Sequence, residues 1–320
     1  MKNWKKRNKT PLARLIILLI FGVACTETEI PIELPTPKPK LVVHSAFTSF
    51  TPPAVKSFAV FVSRNAEVFD TLKIDQIPDA TVRLFINGQF NQIMKYDAVY
   101  GYRANFFPTV GVEYSISVEK EGFETVTAKG SIPSKVLIKD YNLISYAGLD
   151  VDKNPLSLIS VTFDDPADQK NFYEILILRD QNEMNMSKLY SSDPVITSEG
   201  YYPSLVAFDA KQPDRLLFSD KLINGRMHKL DITYRAPLSI IGGVKYINPH
   251  LIFLLLRNVS EDYYHYYTTL LKQRNALRPE ILFGVAEPST IFSNIQNGYG
   301  VFAGYSEDNR TIQVDSIRIR

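Results

Sequence analysis

The chain begins with a basic and apolar leader, residues 1–24, which is followed by its only cysteine, and this limits how the remaining residues can be stabilised. Residues 1–24 carry six basic and no acidic side chains, and residues 15–24 form a short apolar run after the basic stretch. This run is too short to cross a bilayer, which takes about 20 apolar residues, and it is typical of an export signal. Because Cys25 is the only cysteine, the exported body has no internal disulfide and depends on its hydrophobic core.

We predict that cleavage falls between Ala24 and Cys25, and two processing routes remain open there. Gly22 and Ala24 satisfy the small-x-small rule of an ordinary signal peptidase. Ala24-Cys25 also resembles the lipobox of bacterial lipoproteins, in which the cysteine sulfur takes a diacylglyceryl group, although most lipoboxes have leucine at the position of Gly22. We favour lipidation of Cys25, because a free thiol at a mature N-terminus would be exposed to oxidation. The sequence therefore predicts attachment to a membrane through an N-terminal lipid.

Residues 25–40 form a predicted tether between this anchor and the folded body. They contain four prolines, which favour an extended spacer over helix or sheet. Glu27 and Glu29 resemble the acidic signal that sends lipoproteins of Bacteroidetes-type bacteria to the exterior of the outer membrane. The alternative is that both are solvated linker charges. We expect a protein of the outer membrane that faces the cell exterior, with the periplasmic face as the alternative.

Charge and composition bear on partners and on fold class. Without residues 1–24 the chain has 30 basic and 34 acidic residues, so its charge gives no argument for a nucleic-acid partner. The chain has 18 tyrosines and 19 phenylalanines, and aromatic residues favour strands. We predict a mainly β protein with two β-sandwich-like domains.

The first predicted domain, residues 41–135, has the pattern of an immunoglobulin-like or transthyretin-like sandwich. Val82, Leu84 and Ile86 alternate with residues 81, 83 and 85, which predicts a strand. Asn87-Gly88 follows as a hairpin turn, because both residues tolerate positive φ. Residues 112–119 alternate between apolar and polar side chains, which predicts a half-buried strand.

The second predicted domain, residues 136–320, is mainly β with one amphipathic helix near residues 260–276. Ser260 is suited to cap the start of that helix, and apolar side chains recur along one face. Residues 251–256 are apolar throughout, so we expect a strand that is buried on both faces. Residues 180–215 lack periodicity and are predicted to be a long irregular insertion.

No catalytic constellation, cofactor site or metal site is predicted. His44 and His228 alternate with expected core positions and are predicted to lie on the surface. Because tyrosine adds amphipathic contact area, we predict an exposed contact surface formed by aromatic residues of the insertion and of the helix. Its members are Tyr201, Tyr202, Tyr264, His265 and Tyr266.

A family resemblance is carried by segments in the second half of the chain. In order, these are Phe218-Ser219-Asp220, Asn224-Gly225, Ser260-Glu261-Asp262-Tyr263-Tyr264, Glu287-Pro288 and Ser293-Asn294-Ile295-Gln296-Asn297-Gly298-Tyr299-Gly300-Val301-Phe302. The chain resembles domain of unknown function family 4249, a group of lipoproteins from Bacteroidetes-type bacteria. The resemblance implies an outer-membrane lipoprotein, often encoded beside a TonB-dependent receptor, and it implies no known activity. These segments can have a purely structural role.

Three functions remain open at this point. We favour a ligand-binding or accessory protein of a TonB-dependent outer-membrane uptake system, and we do not expect an enzyme. The first alternative is a hydrolase of surface glycans or peptides, which would need two convergent carboxylates in a cleft. The second is a structural or adhesive module.

Overall fold

One strand of 16 residues, close to the C-terminus, lies at the centre of the computed structural model. The structure describes residues 39–49, 58–65, 75–179, 186–199, 212–276 and 290–319. The described strands are β1 Leu41–Thr48, β2 Phe58–Arg64, β3 Thr81–Ile86, β4 Gln89–Ile93, β5 Lys95–Asp97, β6 Gly101–Ala104, β7 Glu113–Glu119, β8 Val126–Ser131, β9 Ile138–Leu149, β10 Pro155–Asp164, β11 Phe172–Leu178, β12 Leu189–Tyr190, β13 Leu216–Ser219, β14 Met227–Arg235, β15 Leu238–Ile241, β16 Val244–Ile247, β17 His250–Val259, β18 Tyr299–Val314 and β19 Ile317–Arg318. The described helices are a short one, Pro194–Thr197, and the long helix, Glu261–Ala276, with a 3-10 turn at Asp220–Leu222.

The central sheet has eight strands in the order β13-β11-β17-β18-β1-β2-β6-β5. The first half of β18 pairs with β1 in parallel, from Tyr299 opposite Val42 to Tyr305 opposite Thr48. The second half of β18 pairs with β17 in the antiparallel direction, as far as Val314 opposite His250. The sheet therefore contains strands from both predicted sequence segments, and the domain division at residue 135 stays a prediction.

A four-stranded sheet in the order β4-β3-β7-β8 covers one face of the half of the central sheet that contains β1. Val82 and Leu84 of β3 and Ile116 of β7 point into the shared core, as their alternation predicts. Asn87 and Gly88 both have positive φ, which confirms the predicted hairpin between β3 and β4. The sandwich-like arrangement thus follows from strands with one wet and one dry face.

At the other end, a sheet in the order β12-β14-β10-β9 covers the same central sheet over β11 and β17. Ile159 and Val161 of β10 share a core with Ile175 of β11 and Leu254 of β17. A third small sheet has the order β15-β16-β19. The described architecture is therefore mainly β, with one long helix, as the sequence predicts.

The connection between β8 and β9 lies directly on β18. A Cβ added at Gly304 would come within 2.4 Å of the carbonyl oxygen of Ser131, so this close approach needs glycine. Ser306 Oγ donates to the carbonyl oxygen of Ser134 at 3.1 Å, and Asp308 accepts from the backbone N–H of Ile138 at 2.9 Å. The connection is thus fixed on the strand that both ends of the central sheet share.

The long helix covers the opposite face of the central sheet. Tyr263 and Leu271 of the helix pack with Phe172, Leu217 and Val301 of three central strands. In β17, Ile252, Leu254 and Leu256 are buried on the face of the covering sheet. On the other face Leu255 is buried, but Leu251 is 44% exposed, so the predicted burial of both faces holds only for the second half of the 251–256 run. Neither described helix is long and apolar enough to cross a membrane.

The pairing of β18 with β1 predicts a large cost for a side chain at Gly300. Gly300 has φ +111, and an added Cβ would lie 1.9 Å from the carbonyl oxygen of Val43. Gly122 has φ +83, and an added Cβ would have nothing within 4 Å. We expect Gly122→Ala to lower the free energy of unfolding by about 1 kcal/mol through backbone strain. Gly300→Ala should cost about 2 kcal/mol more through overpacking. Urea unfolding midpoints measure both, and equal losses would contradict this account.

Candidate functional site

An open groove of about 500 Å³ lies where the sheet β4-β3-β7-β8 meets the start of the long helix and the segment before β18. Its lining residues come from β3 and its turn, from β7, from β8, from the helix start and from residues 294–296. They are Phe85, Gly88, Ser115, Ile116, Ser117, Thr127, Ala128, Lys129, Asp262, Asn294 and Gln296. Sites of this kind, built on strands, are held more rigidly than sites on loops.

Short hydroxyl side chains form the part of the lining that we call the floor. Ser115 and Ser117 project from β7 on the face opposite its buried residues, and Thr127 does so on β8. Phe85 of β3 adds an aromatic wall, and the ring of Phe90 meets it nearly edge to face at 5.9 Å. Phe90 is 59% exposed, so the aromatic surface continues from the groove into solvent. The lining thus combines these hydroxyl groups with apolar surface from Phe85, Ile116 and Ala128.

The rim opposite Phe85 is held by amide side chains. Asn294 accepts from the backbone N–H of Phe302 at 2.9 Å and donates to its carbonyl oxygen at 2.8 Å, as a neighbouring strand would. Its amide nitrogen also donates to Asp262 Oδ2 at 2.9 Å. The backbone N–H of Gln296 donates to the carbonyl oxygen of Thr127 at 2.9 Å, and Thr127 Oγ1 donates to Gln296 Oε1 at 3.0 Å. Residues 294–296 therefore cover the outer edge of β8.

The groove carries one charge of each sign among its described lining residues. Lys129 supplies the positive charge, and its ammonium lies 3.7 Å from a carboxylate oxygen of Glu113. Asp262 supplies the negative charge, and Asn294 is its hydrogen-bond partner. The site therefore has no strong field of either sign.

The start of the long helix fixes Asp262 at this rim. The backbone N–H of Ser260 donates to the carbonyl oxygen of Gly304 at 3.0 Å, and its Oγ lies 3.4 Å from the N–H of Tyr263 as a weak cap. Glu261 accepts from Lys170 Nζ at 2.7 Å. The predicted N-cap is confirmed, and these contacts tie the first helical turn to the central sheet.

Tyr263, the next residue, reaches a buried charged cluster below the helix. Its hydroxyl donates to Glu174 Oε2 at 2.9 Å, and Glu174 is fully buried in β11. Glu174 also pairs with Arg215 at 2.8 Å and with Arg257 at 3.1 Å. Arg257 in turn pairs with Glu307 of β18 at 2.8 Å. The cluster joins three strands, the residue before β13 and the helix, so it fixes the helix on the sheet.

Aromatic rings surround the two arginines of the cluster. The Arg215 guanidinium lies 4.6 Å from the centre of the Tyr267 ring, and that of Arg257 lies 4.3 Å from the centre of the Tyr305 ring. Burial and the neighbouring Glu174 carboxylate raise the pKa of Tyr263 well above its usual value. Burial also raises the pKa of Tyr267 to about 12. Both phenols thus stay protonated, and Tyr263 donates to Glu174.

His44 lies at the margin of this cluster, and the prediction of a surface position is wrong. Its Nε2 is 3.2 Å from the hydroxyl of Tyr267, and burial followed by the charge of Arg215 lowers its pKa. The alternation in β1 places His44 on the face opposite the sandwich core. That face is covered by the helix, which strand alternation does not reveal.

The predicted contact residues of the helix do not form one open surface. Tyr264 is only 8% exposed, its ring stacks on Phe172 at 4.6 Å and its hydroxyl bonds to Glu199. His265 is half-exposed beside Glu261, and Tyr266 is half-buried against His44.

The remaining site predictions fall on parts of the chain that the structure leaves undescribed. Tyr201, Tyr202 and Cys25 lie outside the described residues, and so does the Glu287-Pro288 segment. These predictions stay untested.

The segment Phe218-Ser219-Asp220 and the following Gly225 have structural roles. Asp220 accepts from the backbone N–H of Asn171 at 2.6 Å, and burial raises its pKa. The N–H of Gly225 donates to buried Asp165 at 2.8 Å, and the hydroxyl of Tyr173 donates to the same carboxylate at 2.5 Å. These bonds close the loops at one end of β11 and β13.

The groove itself was not predicted from the sequence. Ser115, Ser117 and Thr127 are ordinary polar residues on the wet face of strands, and only their small size distinguishes them. Three short hydroxyl side chains indicate a common site only when their strands are known to be neighbours. The sequence shows the three residues, but it does not show that β7 pairs with β8.

Comparison with known proteins identifies a family. A family model with the description "Domain of unknown function (DUF4249)" matches residues 27–311, which is most of the chain. This confirms the predicted resemblance. No curated protein matches the chain.

The buried cluster predicts a large cost for neutralising Glu174. Glu174→Gln leaves Arg215 and Arg257 buried with one carboxylate fewer, so we expect a loss of about 3–5 kcal/mol in the free energy of unfolding. Glu261→Gln removes an exposed pair with Lys170 and should change it by about 0.5 kcal/mol or less. Urea unfolding of both variants gives the comparison. Similar losses in the two would show that the cluster does not hold the helix.

His44 predicts a pH dependence of stability. Its pKa is lowered in the folded state, so the unfolded chain binds more protons as the pH falls through the ordinary histidine value of about 6.5. The stability contributed by neutral His44 is therefore present above that pH and is lost below it. We expect His44→Gln to lose less stability than the wild type between pH 7.5 and 5.5. Unfolding midpoints at the two pH values test this, since His250 and the carboxylates contribute equally to both proteins.

Proposed function

Because the chain belongs to the family described as Domain of unknown function (DUF4249), for which no activity is known, we propose a function from its leader and its groove. The protein is a lipid-anchored protein of the outer membrane that binds a ligand in the groove. It serves as an accessory of a TonB-dependent uptake receptor. The observation that carries this proposal is the groove, a preformed and open site on a rigid sheet.

The leader supports the anchored part of this proposal. Acylation of Cys25 would attach the chain through two or three hydrocarbon chains, each contributing about 0.8 kcal/mol per buried methylene. Residues 26–40 in an extended form span about 45 Å at roughly 3 Å per residue. Such a tether would join the lipid anchor to β1, which starts at Leu41, and would let the folded body contact a neighbouring membrane protein.

The support of the groove favours binding without a large rearrangement. Asp262 and Tyr263 are adjacent, so the rim and the buried cluster are linked through one helical turn. Asn294 joins that turn to β18. A ligand would therefore meet polar groups that are already oriented, which lowers the entropy lost on binding.

The anchor is tested by removing the thiol. We expect wild-type protein in the membrane fraction with the added mass of its acyl chains, because those chains are stable in lipid. Cys25→Ala should be found in the soluble fraction without that mass, whereas Thr26→Ala should behave as the wild type. Membrane fractionation and intact-protein mass spectrometry give the readouts. Wild-type protein without the added mass would rule out the lipid anchor.

The accessory role is tested by recovering the protein through a C-terminal tag from gently solubilised outer membranes. We expect a TonB-dependent receptor at close to one copy per copy of the tagged chain. An untagged strain controls for non-specific recovery. Recovery of the tagged chain alone would contradict the accessory role.

A further inference from the structure

We infer that the ligand of the groove is a neutral oligosaccharide. This inference rests on the proposed function of the groove and names the chemical class of its ligand. The lining residues, the balance of charge, the aromatic wall and the covered edge of β8 each bear on that class.

The polar groups of the floor match the chemistry of sugar hydroxyls. Ser115 and Ser117 each carry a hydroxyl that can donate and accept hydrogen bonds, and the Thr127 hydroxyl, whose hydrogen is donated to Gln296, can accept them. Gln296 uses Oε1 to accept from Thr127, and its amide nitrogen is a further donor at the rim. Asp262 adds a carboxylate that accepts from donors. A chain of vicinal hydroxyls can pair with this mixture of donors and acceptors at successive positions.

The charges of the site favour an uncharged ligand. Lys129 and Asp262 supply one positive and one negative charge among the described lining residues. Glu113 lies beside Lys129 and offsets part of its field. An anionic ligand would gain at Lys129 and lose at Asp262, and a cationic ligand the reverse. Net attraction is therefore left to hydrogen bonds and apolar contact.

The wall of the groove offers that apolar contact. Phe85 is half-buried and lines the site, and Phe90 extends its aromatic surface toward solvent. The C–H face of a sugar ring is apolar and can pack on such a ring, while its hydroxyls point along the floor.

The dimensions fit a short chain of sugars rather than one ring. β3, β7 and β8 are neighbouring strands, and Gln296 lies beside β8 in the same sheet, where it pairs with Thr127. At about 4.8 Å between strands, the distance from Phe85 to Gln296 is about 15 Å, which corresponds to about three linked sugar rings.

A peptide bound by strand addition does not fit this groove. Strand addition needs an open sheet edge with unpaired backbone groups. The edge of β8 is occupied at Thr127 by the backbone of Gln296, and Asn297 Nδ2 donates to the carbonyl oxygen of Thr125 at 3.2 Å. β3 and β7 are paired on both sides. Backbone recognition of an extended peptide is therefore blocked here.

The test uses the full exported chain carrying Cys25→Ala, which permits purification without detergent. Affinity electrophoresis would be run in gels that contain dextran, xylan, mannan, mixed-linkage β-glucan, polygalacturonate or a casein peptide mixture. We expect retardation by at least one of the four neutral polysaccharides and none by polygalacturonate or peptides. Phe85→Ala should weaken that retardation at least tenfold, and Gln296→Ala should weaken it severalfold. Phe107→Ala removes a phenylalanine that is 65% exposed outside the groove, and it should bind as the parent does.

Ser117→Trp fills the floor and should abolish retardation, with its unfolding midpoint measured to show that it is folded. If Ser117→Trp does not fold, the Phe85→Ala and Gln296→Ala results decide. The inference is overturned if no neutral polysaccharide retards the chain, or if retardation is unchanged by all three groove variants. Binding of polygalacturonate or peptides that groove variants abolish would overturn the neutral sugar but support a ligand site. Absence of any ligand together with absence of a receptor would overturn the proposed function itself.

Discussion

The structure depends on the pairing of β18 with two different strands along its length. Its first half lies parallel to β1 and its second half lies antiparallel to β17, so one 16-residue strand joins both ends of the central sheet. The connection between β8 and β9 is bonded to the same strand through Ser306 and Asp308. The two sandwich-like regions therefore share backbone hydrogen bonds, and their relative position does not rely on side-chain contact alone.

The first turn of the long helix transmits this rigidity to the groove. Glu174 is buried with two arginines and needs every one of its partners, because an unpaired buried charge is costly. Tyr263 is one of those partners, and Asp262 precedes it in the chain. The cost of disturbing the cluster thus restrains a residue on the rim of an open site. These contacts give the segment Ser260 to Tyr264 a structural role, because each of its residues bonds to a different part of the fold.

Much of the local structure follows from sequence, and the long-range structure does not. Alternation and turn chemistry predict β3, β7, the Asn87-Gly88 hairpin, β17 and the helix, because each depends on neighbours within a few residues. The parallel pairing of β1 with β18 depends on residues more than 250 positions apart, and no local pattern encodes it. For the same reason His44 is misplaced by alternation, since a third layer covers its strand. The groove combines Phe85, Ser117 and Asn294 from distant segments, so only the fold brings them together.

The β1–β18 pairing also has a consequence for how the chain folds. The strand that begins the body at Leu41 lacks one neighbour until the strand that starts at Tyr299 has been made. Chains dominated by such distant contacts have a high contact order, and they fold slowly because a large loop has to close first. The N-terminal region of this protein cannot complete its sheet while the C-terminal region is still being synthesised. The central sheet is therefore completed only after its last long strand, which starts at Tyr299, has been made.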